Sequence, residues 1–579
     1  MVVPVGRSGR ECLVHVGVRH RLAGSRYRSV VIGRRVIVGA SVVLAVALAA
    51  CAPGHAGVRT GRAVSSGSGA DADDGVFQPG TLAPSDPSET TGTAVASTAG
   101  GQPPVTDSAT SSSGAPPQPA APPPTEPPAP APPVLSDPAA VGQPYGTVVP
   151  GVLTFRGNPT RTFHGTGPMP QQPSVLWRYP ENRRMCGESS EYNETKVWCG
   201  VGWTGQSAVF DRDGRTWVVF GAYDYDIHFV DAATGTDILP PLPTGDIAKG
   251  SPTVDPDGFP LVYAGSRDDK LRIIAIDRPE PEVLWSLDAH DGGPTMWNND
   301  WDGSPLVLDD WLIEGGENSR MHAVKLNRSY GPDGLVQVAP VLAWSGQAWD
   351  DDELAGIGDT RVSLESSVMV LGNIVYVASS GGLVQGWDLS ALDESDSPEP
   401  PRVFRFWTGD DTDATVVADD EGYLYVGVEV DRNTRRAKEV GQLLKLDPRA
   451  PDQPLVWSVD INRGTDSGTW STPAVFGGTV IWPTKRGTIL GIDRATGAEL
   501  WSLRIAGPAL SSPAVVDGVL VQGDGAGVLH AWALGDGTTE PTPLWTVELP
   551  GNIESTPAVW NGRIYVGSRD GHFYAIGDA

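Results

Sequence analysis

"STPAVFGGTVIWPTKRGTILGIDRATGAELWSL", residues 471–503, contains four short apolar runs separated by turn residues. "STPAVF" stops at Gly477-Gly478, "TVIWP" at Lys485-Arg486-Gly487 and "TILGID" at Arg494-Ala495-Thr496-Gly497, and "AELWSL" completes the set. Runs this short, broken by Gly and by Asp at the turns, read as four antiparallel strands joined by hairpins. Asp493 is placed to accept hydrogen bonds from its own turn, Gly497 to take up positive φ, and Trp501 to pack against a neighbouring sheet.

The same signature opens a strand eight times. It appears as "GQSAVF" at 205, "KGSPTV" at 249, "DGSPLV" at 302, "ESSVMV" at 365, "DATVVA" at 413, "WSTPAV" at 470, "LSSPAV" at 510 and "ESTPAV" at 554. Its Ser or Thr anchors are residues 207, 251, 304, 367, 415, 472, 512 and 556, with steps of 40 to 63 residues. A period above about 40 residues with four strands per unit is that of a propeller blade. The last unit stops after its third strand, whereas "PSVLWRYP" (173–180) looks like a fourth strand without its first three. The expected fold is therefore all-β: an eight-bladed β-propeller of four-stranded antiparallel blades, closed by the N-terminal strand completing the last blade. Trp177, Trp285, Trp344, Trp407, Trp457, Trp501 and Trp545 are expected at the fourth-strand position, packing between blades.

The chain ahead of the repeats divides by composition. Residues 1–35 contain eight Arg and one Glu, and the uncharged run "VIVGASVVLAVALAAC" (36–51) follows, too short for the about 20 apolar residues of a membrane span. Residues 1–50 are read as a cleaved export signal. Leu48-Ala49-Ala50-Cys51 resembles a bacterial lipobox, which makes Cys51 the expected lipidation site and the bacterial membrane the first expected partner. Residues 51–145, rich in Pro, Ser, Ala, Gly and Thr, hold too little apolar side chain to form a core and read as a tether. The propeller is assigned to 146–579.

Cys12 falls in the signal and Cys51 is taken by lipid, leaving Cys186 and Cys199 as an even pair outside the cytoplasm. A disulfide between them is expected. Residues 1–50 carry +7, so 51–579 carry −35 against −28 for the whole chain. Nucleic acid is a poor partner for such a surface, whereas a basic patch, a neutral sugar or a cation is a good one. A monomer is expected.

The lead-in "TFRGNPTRTFHGTGPMPQQPSVLWRYP" (154–180) and the G-x-D-x-x-T-G-x-x-x-W pattern resemble the PQQ-like repeat propellers. That superfamily contains quinoprotein alcohol dehydrogenases and the outer-membrane assembly lipoprotein of the BAM complex. The dehydrogenase branch implies a quinone, a calcium ion, an Asp base and two adjacent Cys. This chain has no Cys-Cys pair, and "TMWNNDWDGSP" (295–305), with Asn298, Asn299, Asp300 and Asp302, is its nearest counterpart to a metal loop.

Two further sets of residues are candidates. The position two before each anchor gives Gly205, Lys249, Asp302, Glu365, Asp413, Trp470, Leu510 and Glu554 around the channel, with Asp302, Glu365, Asp413 and Glu554 as a candidate cation site. The long connections 181–204, 289–301 and 346–363 share one face and carry Trp198, Trp203, Trp297, Trp301, Trp349, Asp350, Asp351 and Asp352, a candidate binding face for an envelope protein or glycan. The expected function is a binding or scaffold module without a cofactor. The alternative is a quinoprotein dehydrogenase using PQQ and calcium.

Overall fold

The computed structural model describes residues 135–191, 194–392 and 399–579. The export signal, Cys51 and the tether up to residue 134 lie outside the described residues. The described residues belong to one compact unit, and within it the repeats fold as an eight-bladed propeller of small antiparallel sheets.

Blade 6 is the stretch quoted above, with strands Ala474–Phe476, Thr479–Pro483, Thr488–Asp493 and Glu499–Arg504 paired in that order. Inner strands lie between two neighbouring sheets and are buried along their length, as in Leu261–Ser266 of blade 2. Outer strands alternate buried and exposed residues, as in Glu499–Arg504. In blade 8, Ala558–Trp560, Arg563–Ser568 and His572–Gly577 are followed by Ser174–Tyr179, which lies antiparallel to the third strand with Trp177 opposite Ala575. Inserts sit on this frame: a hairpin Cys186–Glu191/Glu194–Cys199 after blade 8, helix Asp351–Ile357 after blade 3, and helix Arg435–Val440 inside blade 5. Cys186 and Cys199 form a disulfide at the base of the hairpin.

The turn motif works between blades. Asp493 Oδ1 accepts the N–H groups of Ala495 (3.1 Å) and Thr496 (2.7 Å), and Gly497 has φ 77°. A Cβ on Gly497 would come within 2.9 Å of the Trp457 ring, so glycine here serves both the left-handed turn and the approach of the preceding blade's indole. Trp501 in turn donates its Nε1–H to Gly537 O of blade 7 at 2.7 Å, and Trp457 to Arg494 O of blade 6 at 3.2 Å. Each indole thus docks on the third turn of the next blade.

Six of the seven predicted tryptophans share this position, beside a register shift in the outer strand. Trp407 does not: in blade 4 Phe404 faces Gly386 at the shift, and Trp407 pairs with Leu383 farther along. Its ring packs against Gly356 of the 346–363 insert and donates its Nε1–H to Gly381 O of its own blade at 2.9 Å. Leu239 takes the position in blade 1.

The lead-in has a role that periodicity does not reveal. Gly151–Val152 adds to the inner edge of blade 1 and Gly165–Thr166 to that of blade 8, so the peptide between them fills the channel. Residues 135–145, assigned above to the tether, also pack on the propeller. Ser136 exchanges backbone hydrogen bonds with Gly372 (3.0 and 2.8 Å), and the buried Tyr145 donates its hydroxyl to Val307 O at 2.5 Å.

Trp501→Ala is expected to destabilise the propeller by about 3–5 kcal/mol, through lost packing and the stranded Gly537 carbonyl. Equilibrium denaturation measures it, and Trp501→Phe should recover most of the loss.

Candidate functional site: a closed, acidic channel mouth

The anchors build the channel wall. Five of the eight anchor hydroxyls accept the backbone N–H of the preceding blade's anchor: Ser367 from Ser304, Thr415 from Ser367, Thr472 from Thr415 and Ser512 from Thr472, all at 3.0 Å, then Thr556 from Ser512 at 3.3 Å. Ser304 Oγ accepts instead from Phe155 N of the lead-in, at 3.2 Å. Arg156 and Arg161, both fully buried, cap carbonyls one residue past the anchors. Arg156 reaches Pro513 O (2.8 Å) and Pro473 O (2.7 Å), and Arg161 reaches Val368 O (2.8 Å). Burial lowers the pKa of Arg156 to about 9 and of Arg161 to about 10.

Above this plug lies a cavity of about 30 Å³, lined by Phe155, Trp203, Asp302, Glu365, Asp413 and Trp470 among others. That is room for one or two waters. Trp203 and Trp470 meet over it with ring centroids 5.2 Å apart, each covered by a lysine: Lys249 at 4.8 Å from Trp203 and Lys485 at 4.5 Å from Trp470.

Two groups of carboxylates flank the cavity, Asp300, Asp302 and Glu317 on one side and Asp411, Asp413 and Glu429 on the other. In each, one oxygen per residue lies within 4.8 Å of the others. The first surrounds the Lys249 ammonium, at 2.5 Å from Asp302, 3.4 Å from Asp300 and 3.5 Å from Glu317, and Arg267 adds a contact to Asp300 at 2.6 Å. Burial alone would lower the Lys249 pKa, but Asp302, Glu317 and Asp300 outweigh it and hold it well above the usual lysine value. In the second group burial and then mutual repulsion push Asp411, Asp413 and Glu429 well above the usual carboxylate range, and Glu365 beside them rises to about 8.

The structure rearranges the sequence candidates. Asp302, Glu365 and Asp413 do share the cavity. Glu554 stands apart from them and pairs with Arg569 at 3.2 Å, whose guanidinium stacks on Trp198 and Tyr223. In the 295–305 loop Asn298 donates to Glu317 Oε2 at 2.7 Å. Asp300, Glu317, Asp411 and Glu429 complete the acidic groups, and only Asp300 had been singled out. The D-x-D spacing before anchors 304 and 415 was a readable signal; the two glutamates had none.

On the proposed face, Trp198 and Trp203 are half-buried and in contact at 6.2 Å, and Trp297 is half-buried. Trp301 (0% exposed) and Trp349 (7%) are interior anchors, so the face loses them. Asp350 caps helix Asp351–Ile357 and pairs with Arg405 at 2.8 Å, with its pKa drawn down to about 2 by that bond first; Asp351 and Asp352 are exposed.

Residues 441–540, from the third strand of blade 5 through the third strand of blade 7, match the family model described as outer membrane protein assembly factor BamB. Similar solved structures include the computationally designed Ika8 protein, 16% identical over 65% of this chain and 96% of that one, TM-score 0.43. BamB from Moraxella catarrhalis is 15% identical over 71% of this chain and 99% of its own, TM-score 0.34. No curated protein matches the chain.

The buried acids set a pH dependence. A carboxyl whose folded pKa is raised binds more protons in the folded state, so stability falls as pH rises through the window between its unfolded and folded values. For Glu353, raised by burial from 4.5 to about 7, that window is pH 4.5–7, and the acids of both cavity groups with raised values act in the same direction. His164 and His322, whose pKa values are lowered by burial, oppose them below pH 6.5 but are only two. Thermal midpoints are expected to rise from pH 7 to pH 5, and Glu353→Gln should flatten part of that slope.

Proposed function

We propose that the protein is a lipid-anchored scaffold of the bacterial cell envelope, held outside the cytoplasm on a Pro-rich tether and binding an envelope protein or glycan with the face around Trp198, Trp203, Asp351 and Asp352. The observation that carries this reading is the entry of the chain on the opposite side. Leu135–Tyr145 runs past the first strand of blade 3 and the turn after the first strand of blade 4, bonding Val307, Gly372 and Asn373. This supports a rim, with its disulfide-braced hairpin, that faces away from a tether joined at this segment.

The match to an envelope assembly factor over 441–540 supports the envelope setting. An acidic rim with half-buried aromatics suits a basic or sugar-bearing surface. The water-sized cavity favours a binding module over the quinoprotein alternative.

Two measurements test the proposal. Cys51→Ser is expected to abolish incorporation of radiolabelled palmitate and move the protein from the membrane to the soluble fraction; retention on the membrane would remove the anchor from the proposal. Whole-cell cross-linking should yield adducts that Trp198→Ala or Asp351→Lys/Asp352→Lys lose, while titration with PQQ and calcium should give no saturable quinone spectrum.

A further inference from the structure

The two carboxylate groups beside the cavity occupy equivalent positions in blades 3 and 5. Asp300 and Asp302 stand four and two residues before anchor Ser304, and Asp411 and Asp413 stand likewise before anchor Thr415. Glu317 lies four residues beyond Ile313, the partner of Leu306, and Glu429 four beyond Tyr425, the partner of Val417. The same fold thus builds the same three-carboxylate cradle twice.

The blade preceding each cradle supplies different chemistry. For blade 3, blade 2 offers Lys249 two residues before its anchor and Arg267 four beyond Tyr263, the partner of Thr253. Both are cations, and the Lys249 ammonium sits among all three carboxylates at 2.5–3.5 Å. For blade 5, the equivalent residues of blade 4 are Glu365 and Ser380, the latter four beyond Tyr376, the partner of Met369. A carboxylate and a hydroxyl replace an ammonium and a guanidinium.

The bases that do reach the second cradle touch its edge. Lys485 pairs with Glu429 Oε2 at 2.8 Å and Arg432 lies 3.9 Å from Asp411. Asp413 shares a hydrogen bond with Asp411, both Asp413 and Glu365 are within hydrogen-bond distance of Ser380 Oγ (3.1 and 3.3 Å), and Glu365 accepts from Ser363 at 2.9 Å. With every carboxyl ionised, four carboxylates against two bases would leave an excess of two negative charges. Independently of that count, Glu429, with its side chain 4% exposed, has an Oε1 without a hydrogen-bond partner. Across the cavity Asp302, 2% exposed, has an Oδ1 in the same condition. Buried carboxylate oxygens left in this way cost free energy that a cation would recover.

We propose that Asp411, Asp413, Glu429 and Glu365, with the Ser380 hydroxyl, form a site for one divalent oxygen-seeking cation such as Ca²⁺, held where the blade 3 cradle holds an ammonium. All donors are oxygens, which selects hard cations over zinc or copper. Once their protons are displaced, the excess charge of these carboxylates matches a divalent ion, and the cavity leaves room for water in its shell. The site is independent of the scaffold reading and would persist if the rim had no partner.

Titration of the full chain, stripped with EDTA, tests it with Tb³⁺ and Ca²⁺ as probes. The expected result is one Tb³⁺ per chain with emission sensitised by Trp470 and Trp203, displaced by Ca²⁺, and a thermal midpoint that climbs with Ca²⁺ concentration. Asp413→Asn should weaken Ca²⁺ binding by about 10-fold or more. Glu365→Lys, which rebuilds the blade 3 arrangement, should abolish binding and raise the midpoint of the metal-free protein. Absence of saturable binding of Ca²⁺, Mg²⁺ and Mn²⁺ to the wild type overturns the proposal, as does Ca²⁺ binding unchanged in Asp413→Asn. Those two measurements decide the matter even if Glu365→Lys fails to fold.

Discussion

The ring rests on a hydrogen bond from the backbone N–H of one anchor to the hydroxyl of the next blade's anchor, repeated from Ser304 to Thr556. Inner strands converge where neighbouring sheets cannot pair edge to edge, so their first N–H groups need acceptors from side chains. A hydroxyl is short enough to fit at the narrow end of the wedge. The Ser/Thr signature is therefore a requirement of closing the channel wall, and its regular return makes the blades countable in the sequence. The carbonyls one residue farther on raise the same demand with the opposite polarity, and buried arginines meet it. Arg156 and Arg161 cap blades 6, 7 and 4 from a single peptide, which ties distant blades to the lead-in as well as to their neighbours.

What the sequence revealed follows from the range over which each feature acts. Blade number, strand order and the Asp493–Gly497 turn are local or periodic, and they can be read from spacing. Trp407 shows the limit of that reading: it lies in the expected strand, but the register shift puts Phe404 in the docking position instead. The lead-in shows it more strongly. Nothing within residues 151–166 predicts that Arg156 will meet Pro513, 357 residues away. Burial is equally hidden: Trp301 and Asp351 both sit in polar connecting segments, yet one is fully enclosed and the other exposed.

The candidate site was partly legible for the same reason. Positions two before each anchor are periodic, so Asp302, Glu365 and Asp413 could be placed together without coordinates. Glu554 occupies the same register and failed as a member because Arg569, from the other end of its own blade's second strand, takes its carboxylate. Glu317 and Glu429 return to the cavity from second strands, and only the pairing register puts them there.

The comparison of the two cradles turns on how a fold can afford buried negative charge. Three carboxylates near one another are tolerated when an ammonium of the same chain stands between them, as Lys249 does in blade 3. Such an internal cation is always present and makes the arrangement a structural element. Where the preceding blade supplies Glu365 instead, the chain has three ways to relieve the repulsion: hold protons, admit water, or recruit a cation from outside. The first fits the raised pKa values of Glu365 and Asp413 in the absence of an ion, and it is also the state from which an incoming divalent cation would release protons. Identical backbone frames carrying opposite charge at one position thus separate a cradle that is complete in itself from one whose stability depends on its surroundings.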